Sequence, residues 1–313
     1  MDAAAFATKI RSAIPPCSLG DWPTPLEPAP ALARAIDADA LWLKREDRSG
    51  GNKVRGLEFL LAGARADSVF VTLGGTGSTH CLATAVHAQR LGHRVVLAQF
   101  PQPDTEASRA VAAATRRAAD LVVTARSQLG LPWAVSRAWI AARRLGAPRW
   151  IPGGGADPRA VVGHFLATLE LETQLDAPPD MIVVPLGTGG TTAGIALGVA
   201  WLRWPTRVVA VRVAPRFVAN GWRVRRLASG ARRLLSKHGL EFGNPQSAIR
   251  IQVVDGLGAG YGHPSPEGER ARVLAGDRGL TLDPTYGAKA FAFLLQRRTG
   301  VQRVVFWHTF AWP

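Results

Sequence analysis

Lys53 is the residue on which a chemistry can be built. It follows Gly50-Gly51-Asn52 and opens KVRGLEFLLA, whose apolar spacing predicts a helix over 53–65. A lysine forms an imine with a carbonyl compound only as the neutral amine. A helix N-terminus and a neighbouring cation both lower an ammonium's pKa, and Arg55 stands two residues on. The bland alternative is a solvated surface lysine. Against it, the chain has 38 basic residues, and five of them are Lys.

Two glycine-rich segments could hold anions. VTLGGTGSTHCLATA, at 71–85, and IVVPLGTGGTTAGIALG, at 182–198, each run from a strand pattern into a helix pattern. In open parallel sheets, ligands bind outside the carboxyl ends of the strands. A helix N-terminus there offers unpaired N–H groups and a positive dipole end. The loop Gly187, Thr188, Gly189, Gly190, Thr191 and Thr192 adds hydroxyl donors, which suits a phosphate. It is not a dinucleotide fingerprint, because Thr192 stands where the last glycine is needed, and no Lys follows to make a nucleotide P-loop. An ordinary tight turn is the competing reading of either segment.

The surrounding pattern alternates short β-branched runs with longer amphipathic stretches. Strands are expected at 41–44, 69–73, 94–98, 121–124, 181–186, 207–213, 249–254 and 301–307. Helices are expected at 53–65, 78–91, 104–118, 132–145, 158–175, 191–202, 221–238, 266–277 and 288–297. Such alternation implies parallel strands with helices on both faces. The Gly/Pro-rich break at 151–158 is the natural division.

Composition narrows the function classes. With 47% hydrophobic and 19% charged residues over 313, the chain reads as a globular enzyme rather than a disordered protein. No apolar run approaches a membrane span, and the N-terminus makes a poor signal peptide. Two cysteines, Cys17 and Cys81, make no disulfide framework, so a cytoplasmic setting is expected. The net charge of +15 raises nucleic-acid binding, and the stretch 212–237 has no acidic residue. No reading motif or aromatic interleaving accompanies it, so a solvated helix face with a bias toward anionic ligands is expected instead. His80, Cys81 and His87 share one expected helix but are too few and too widely spaced for a metal site, so no metal is expected.

Lys53 in GGNKVRGLEFLL resembles the cofactor-binding segment of pyridoxal-phosphate enzymes with the tryptophan-synthase-β fold. More narrowly, it is similar to the 1-aminocyclopropane-1-carboxylate deaminase and D-cysteine desulfhydrase family. Further segments follow in the same order. Residues 74–79, GGTGST, resemble that family's G-G-I-Q-S-N loop. Residues 187–194 resemble its phosphate cradle. Residues 258–262, GAGYG, resemble its G-P-G-Y-G segment. Residues 283–289, DPTYGAK, resemble D-P-V-Y-x-G-K, and 304–309 resemble the closing strand. The protein's two tyrosines, Tyr261 and Tyr286, are the two that these motifs contain.

The resemblance implies two domains, 1–54 plus 156–313 binding the cofactor and a smaller one at 55–155. Each would be an open, mostly parallel twisted sheet with helices on both faces, with pyridoxal 5′-phosphate in the cleft between them. Lys53 would hold the cofactor and shuttle protons. Asn52, Thr79 and the 187–192 loop would complete its binding site. Ser78, with Gly75, Thr79 and His80, would bind the substrate carboxylate, and Tyr261 and Tyr286 would flank the substrate. The implied activity is a lyase or deaminase acting on a small amino acid, foremost β-elimination from D-cysteine or a related β-substituted amino acid to pyruvate and ammonia. Cyclopropane deamination and a cofactor binder without turnover are the alternatives. A homo-oligomer is implied.

Four places depart from the family pattern. Gly77 replaces Gln, Thr79 replaces Asn, Gly287 replaces Glu or Thr, and Phe310-Ala311 replace a Gly-Gly pair. Position 287 would lie near the pyridine nitrogen, so a weaker electron sink follows. That favours a good leaving group such as thiolate over ring opening.

Overall fold

The computed structural model describes residues 2–241, 249–296 and 303–310. Two sheets organise them. The larger uses β1 (Leu26–Pro28), β2 (Ala40–Arg45), β7 (Met181–Leu186), β8 (Arg207–Arg212), β9 (Ile251–Asp255) and β10 (Arg303–His308) in the order β1-β2-β10-β7-β8-β9. The smaller uses β3 (Ser68–Gly75), β4 (Arg94–Phe100), β5 (Leu121–Thr124) and β6 (Ala147–Trp150) in the order β5-β4-β3-β6. Every pairing is parallel except β1 with β2.

The helices are α1 (Ala3–Ala13), α2 (Pro30–Ala35), α3 (Lys53–Leu61), α4 (Thr79–Arg90), α5 (Glu106–Ala118), α6 (Leu131–Leu145), α7 (Pro158–Gln174), α8 (Gly190–Trp201), α9 (Gly221–Lys237), α10 (Pro266–Gly276) and α11 (Gly287–Gln296). Residues of α7, α8 and α9 share one core with β7 and β8, while α2, α10 and α11 build another with β2, β8 and β10. In the smaller sheet, α3 and α4 pack with β3 and β4 in one cluster and α6 packs in a second. Both sheets therefore carry helices on both faces, the layering that parallel strands require to bury both sides.

Four elements escape the sequence reading. β1 and β6 are edge strands three and four residues long, and each carries a proline, Pro28 and Pro148. Proline removes a ladder donor, so it belongs at an edge and hides the strand signal. α1 is held by an Asp2 cap on Ala5 and buries Phe6, which stacks on Trp201 at 4.7 Å. α2 spans six residues, too few for a periodic signal. Positions 301–302 of the last expected strand and 297 of the last expected helix lie outside the described residues. The expected boundary at 54/55 falls inside α3, which packs on both α7 and α4.

Helix α9 buries Val224, Ala228, Ala231 and Leu235 and turns Arg225, Arg226 and Arg233 to solvent. The acid-free stretch is thus the wet face of an amphipathic helix. Among the described residues, no helix is long and apolar enough to cross a membrane.

Candidate active site

Lys53 is the first residue of α3, and its position is fixed from two sides. Gly51, at φ +95°, turns the chain where a side chain would meet Thr309 and Phe310. The Asn52 N–H then donates to the Thr309 carbonyl at 2.9 Å, and the Asn52 side chain donates to Thr191 Oγ1 at 2.7 Å. The loop is thereby tied to the end of β10 and the start of α8. Burial lowers the Lys53 ammonium to about 8, and among the described residues it makes no ion pair. Arg55 does not contribute, contrary to the sequence expectation. Its guanidinium is bound by Glu46 at 2.6 Å and by both oxygens of Glu170 at 2.7 and 2.8 Å. Its charge is paired with two carboxylates, and burial is what lowers Lys53.

Ser78 caps α4, its Oγ accepting the Cys81 N–H at 3.3 Å, and Thr79 begins the helix. His80, one turn position on, bonds through Nε2 to Thr72 Oγ1 at 2.9 Å. Burial and the Lys53 charge hold His80 down at about 3, so it is neutral. Its Nδ1 is buried without a hydrogen-bond partner. The preceding loop is braced by Gln102, whose Oε1 accepts the Gly77 N–H at 2.8 Å. Cys81 is fully buried, and burial pushes its thiol up to about 11, so it is packing and not a nucleophile.

The second glycine loop leaves β7 and enters α8 through Gly189, at φ +96°, a conformation that L side chains rarely adopt. Thr192 Oγ1 is buried there and unpartnered. Arg223 leans on this loop, donating through Nε to the Thr188 carbonyl at 3.1 Å, and pairs with no carboxylate among the described residues.

Tyr261 and Tyr286 join their phenol oxygens at 2.6 Å. Asp283 shapes the turn before Tyr286 by accepting the N–H groups of Thr285, Tyr286 and Gly287 at 3.0, 2.7 and 2.8 Å. Lys289 serves the other tyrosine: its Nζ donates to the carbonyls of Leu257 and Gly260, just ahead of Tyr261.

These pieces line one cavity of about 490 Å³. It lies at the carboxyl ends of β3, β4, β7, β8 and β10, where a parallel sheet presents helix N-termini. Asn52, Lys53, Gly75, Ser78, Thr79, His80, Gly187–Thr192, Tyr261 and Tyr286 all face it. Among the described residues its wall holds two cations, Lys53 and Arg223, and no carboxylate. Sequence reading missed Arg223, Phe217 and Val218 on that wall, and nothing local marks them. Thr309 and Phe310, which sequence reading set at the closing strand, line it too, as do Gly153 and Gly154, read there as a domain break. Gly287 does not face the cavity. A Cβ at 287 would lie 3.0 Å from Asp283 Oδ2 and close to Leu282.

The family described as "Pyridoxal-phosphate dependent enzyme" matches residues 17–309. The chain belongs to this family of pyridoxal-phosphate-dependent enzymes. It is 37% identical to a nocardicin C-9′ epimerase of Nocardia uniformis subsp. tsuyamanensis, over 91% of each chain. It is 32% identical to a D-cysteine desulfhydrase of Klebsiella pneumoniae (strain 342), over 87% of this chain and 85% of that one. The crystal structure of an ACC deaminase homologue superposes with a TM-score of 0.83 at 28% identity, covering 97% and 94%. The family's cofactor fits the cavity on physical grounds. Lys53 is a buried amine with a lowered pKa, as capture of an aldehyde requires. The N-terminus of α8, with the unpartnered Thr192 hydroxyl, is built for a phosphate.

Proposed function

We propose that this enzyme removes the α-proton of a β-substituted amino acid and expels the β-substituent, with D-cysteine as the reference substrate. The observation that carries this reading is the Tyr261–Tyr286 pair in the same cavity as Lys53. Bound pyridoxal phosphate supplies the electron sink for charge developing at the α-carbon. Asn52, Lys53 and the 187–192 loop hold it, with Arg223 beside the loop adding positive charge. Ser78 and the N-terminus of α4 take the substrate carboxylate, with Gly75, Thr79 and His80 around it. The amine of Lys53, at about 8, moves the α-proton. The tyrosines stay protonated at neutral pH, since burial pushes Tyr261 up to about 12 and holds Tyr286 well above the usual tyrosine value. They therefore act as hydrogen-bond donors that stabilise the charge on the departing thiolate.

A second reading has its own support, because the relative at 37% identity is named an epimerase. Epimerisation shares proton removal and differs in returning a proton to the opposite face of the α-carbon. The cytoplasm as its compartment, a homo-oligomeric state and the division into 1–54 plus 156–313 and 55–155 belong to the same proposal.

The test is pyruvate release from D- and L-cysteine by the cofactor-loaded protein in deuterated water. Pyruvate formation supports the lyase. Deuterium at the α-carbon with inversion and no pyruvate supports the epimerase. Neither product from cysteine or from a bulkier β-substituted amino acid, with cofactor bound, overturns both readings and leaves a silent binder.

A further inference from the structure

The cavity wall mixes two kinds of chemistry. Lys53, Ser78, Thr191 and Thr192 contribute polar and cationic groups. Phe100, Leu131, Phe217, Val218 and Phe310 contribute apolar side chains. These come from separate parts of the fold. Phe100 and Leu131 belong to the smaller sheet and its helix, and Phe217 and Val218 follow the larger sheet's β8. Phe310 follows β10.

Phe217 lines the cavity and is 81% exposed. Single exposed apolar residues are common, but five apolar side chains on the wall of one binding cavity form a contact surface. Packing within the chain does not account for the exposure of Phe217. An ammonium, a carboxylate or a thiol gains nothing from such a wall; apolar surface does. The cavity of about 490 Å³ must house the cofactor and the amino acid together. The charge census agrees, since the wall holds no acidic residue to favour a cationic side chain.

We infer that the amino-acid substrate carries a large apolar substituent, which sits against Phe217, Leu131, Val218, Phe100 and Phe310. The inference rests on the α-proton reading above and narrows its substrate from cysteine itself to amino acids whose β-position bears an aryl- or alkyl-sized group. Phe217 and Leu131 determine specificity and take no part in proton transfer. In an apolar pocket, one methylene changes discrimination roughly tenfold or more.

The experiment titrates the cofactor-loaded protein with racemic alanine, S-methylcysteine and S-benzylcysteine and follows the cofactor's visible absorbance, a binding signal independent of turnover. The expected result is at least a tenfold gain in affinity from alanine to S-benzylcysteine. Phe217→Ala should cut the ratio of those two affinities about tenfold, and Leu131→Ala should cut it in the same direction. Phe217 is exposed, so its variant folds; circular dichroism checks Leu131→Ala. Equal affinities across the series, or a gain that survives both substitutions, overturn the inference and leave the α-proton reading standing. No spectral response to any amino acid, alanine included, overturns that reading and the inference with it.

Discussion

The phenol oxygens of Tyr261 and Tyr286 share a hydrogen bond of 2.6 Å inside the cavity that Lys53 faces. Their chain segments are held by different devices, Lys289 on two carbonyls before Tyr261 and Asp283 on three N–H groups around Tyr286. Replacing Tyr286 by Phe removes one donor from the pair without changing its shape. Turnover of a β-substituted amino acid is expected to fall by roughly 10²-fold, the size of losing one hydrogen-bond donor to developing charge. Cofactor affinity should hold. Steady-state kinetics beside a cofactor titration separate the two.

Cofactor capture should depend on pH through Lys53. The neutral amine is the nucleophile, and burial sets its pKa at about 8. The capture rate of the cofactor-free protein should therefore rise about tenfold per pH unit below 8 and level off above it. Stopped-flow absorbance reads this directly. Borohydride fixation and peptide mapping should place the label on Lys53, and Lys53→Ala should abolish it. Lys289→Ala should keep it, because Lys289 donates to backbone carbonyls and does not line the cavity.

The phosphate cradle makes a separate prediction. Gly189→Val forces a branched side chain into φ +96° and brings its Cβ to 3.2 Å from Val224 Cγ2. Cofactor affinity should drop tenfold or more. Arg223→Met should weaken it roughly tenfold, the size of a charge-assisted hydrogen bond, with a shallower salt dependence. Equilibrium dialysis against pyridoxal phosphate and against pyridoxal shows whether the loss follows the phosphate group.

Arg55 is expected to matter for stability rather than for the Lys53 pKa. Its guanidinium is 1% exposed, lies 4.0 Å over the Trp22 ring and bridges Glu46 to Glu170. Arg55→Met leaves the buried Glu46 without a cationic partner, while Glu170 keeps Lys44 at 2.7 Å, and should cost about 3–5 kcal/mol in chemical denaturation. If Arg55 lowered the Lys53 pKa by its charge, the same variant would shift the pH midpoint of cofactor capture upward. That midpoint should stay in place.

Gly287→Glu tests the reading of position 287. A side chain there meets the Asp283 carboxylate, which burial already raises to about 6. A second carboxylate should destabilise the fold by roughly 2 kcal/mol or more, measured as a lower unfolding temperature. Gained cyclopropane deamination without loss of stability would show that the side chain reaches the cofactor instead.

Local features of the chain were legible from the residues themselves. Alternating strand and helix patterns announce parallel sheets, and glycine runs between them mark the turns that feed α4 and α8. Lys53 after two glycines and the two tyrosines stand out by type and spacing alone. What the tertiary structure decided are relationships that no window of sequence contains. Arg55 meets Glu170 across 115 positions, and that meeting removes the charge effect which proximity to Lys53 suggested. Asn52 reaches Thr191 across 139 positions and so joins the lysine loop to the phosphate cradle. Arg223 and Phe217 become cavity wall only because β8 ends and α9 begins on the same side of the larger sheet. Their neighbours in sequence carry no trace of this, since side-chain burial and electrostatic pairing depend on which distant elements pack together and not on local propensity.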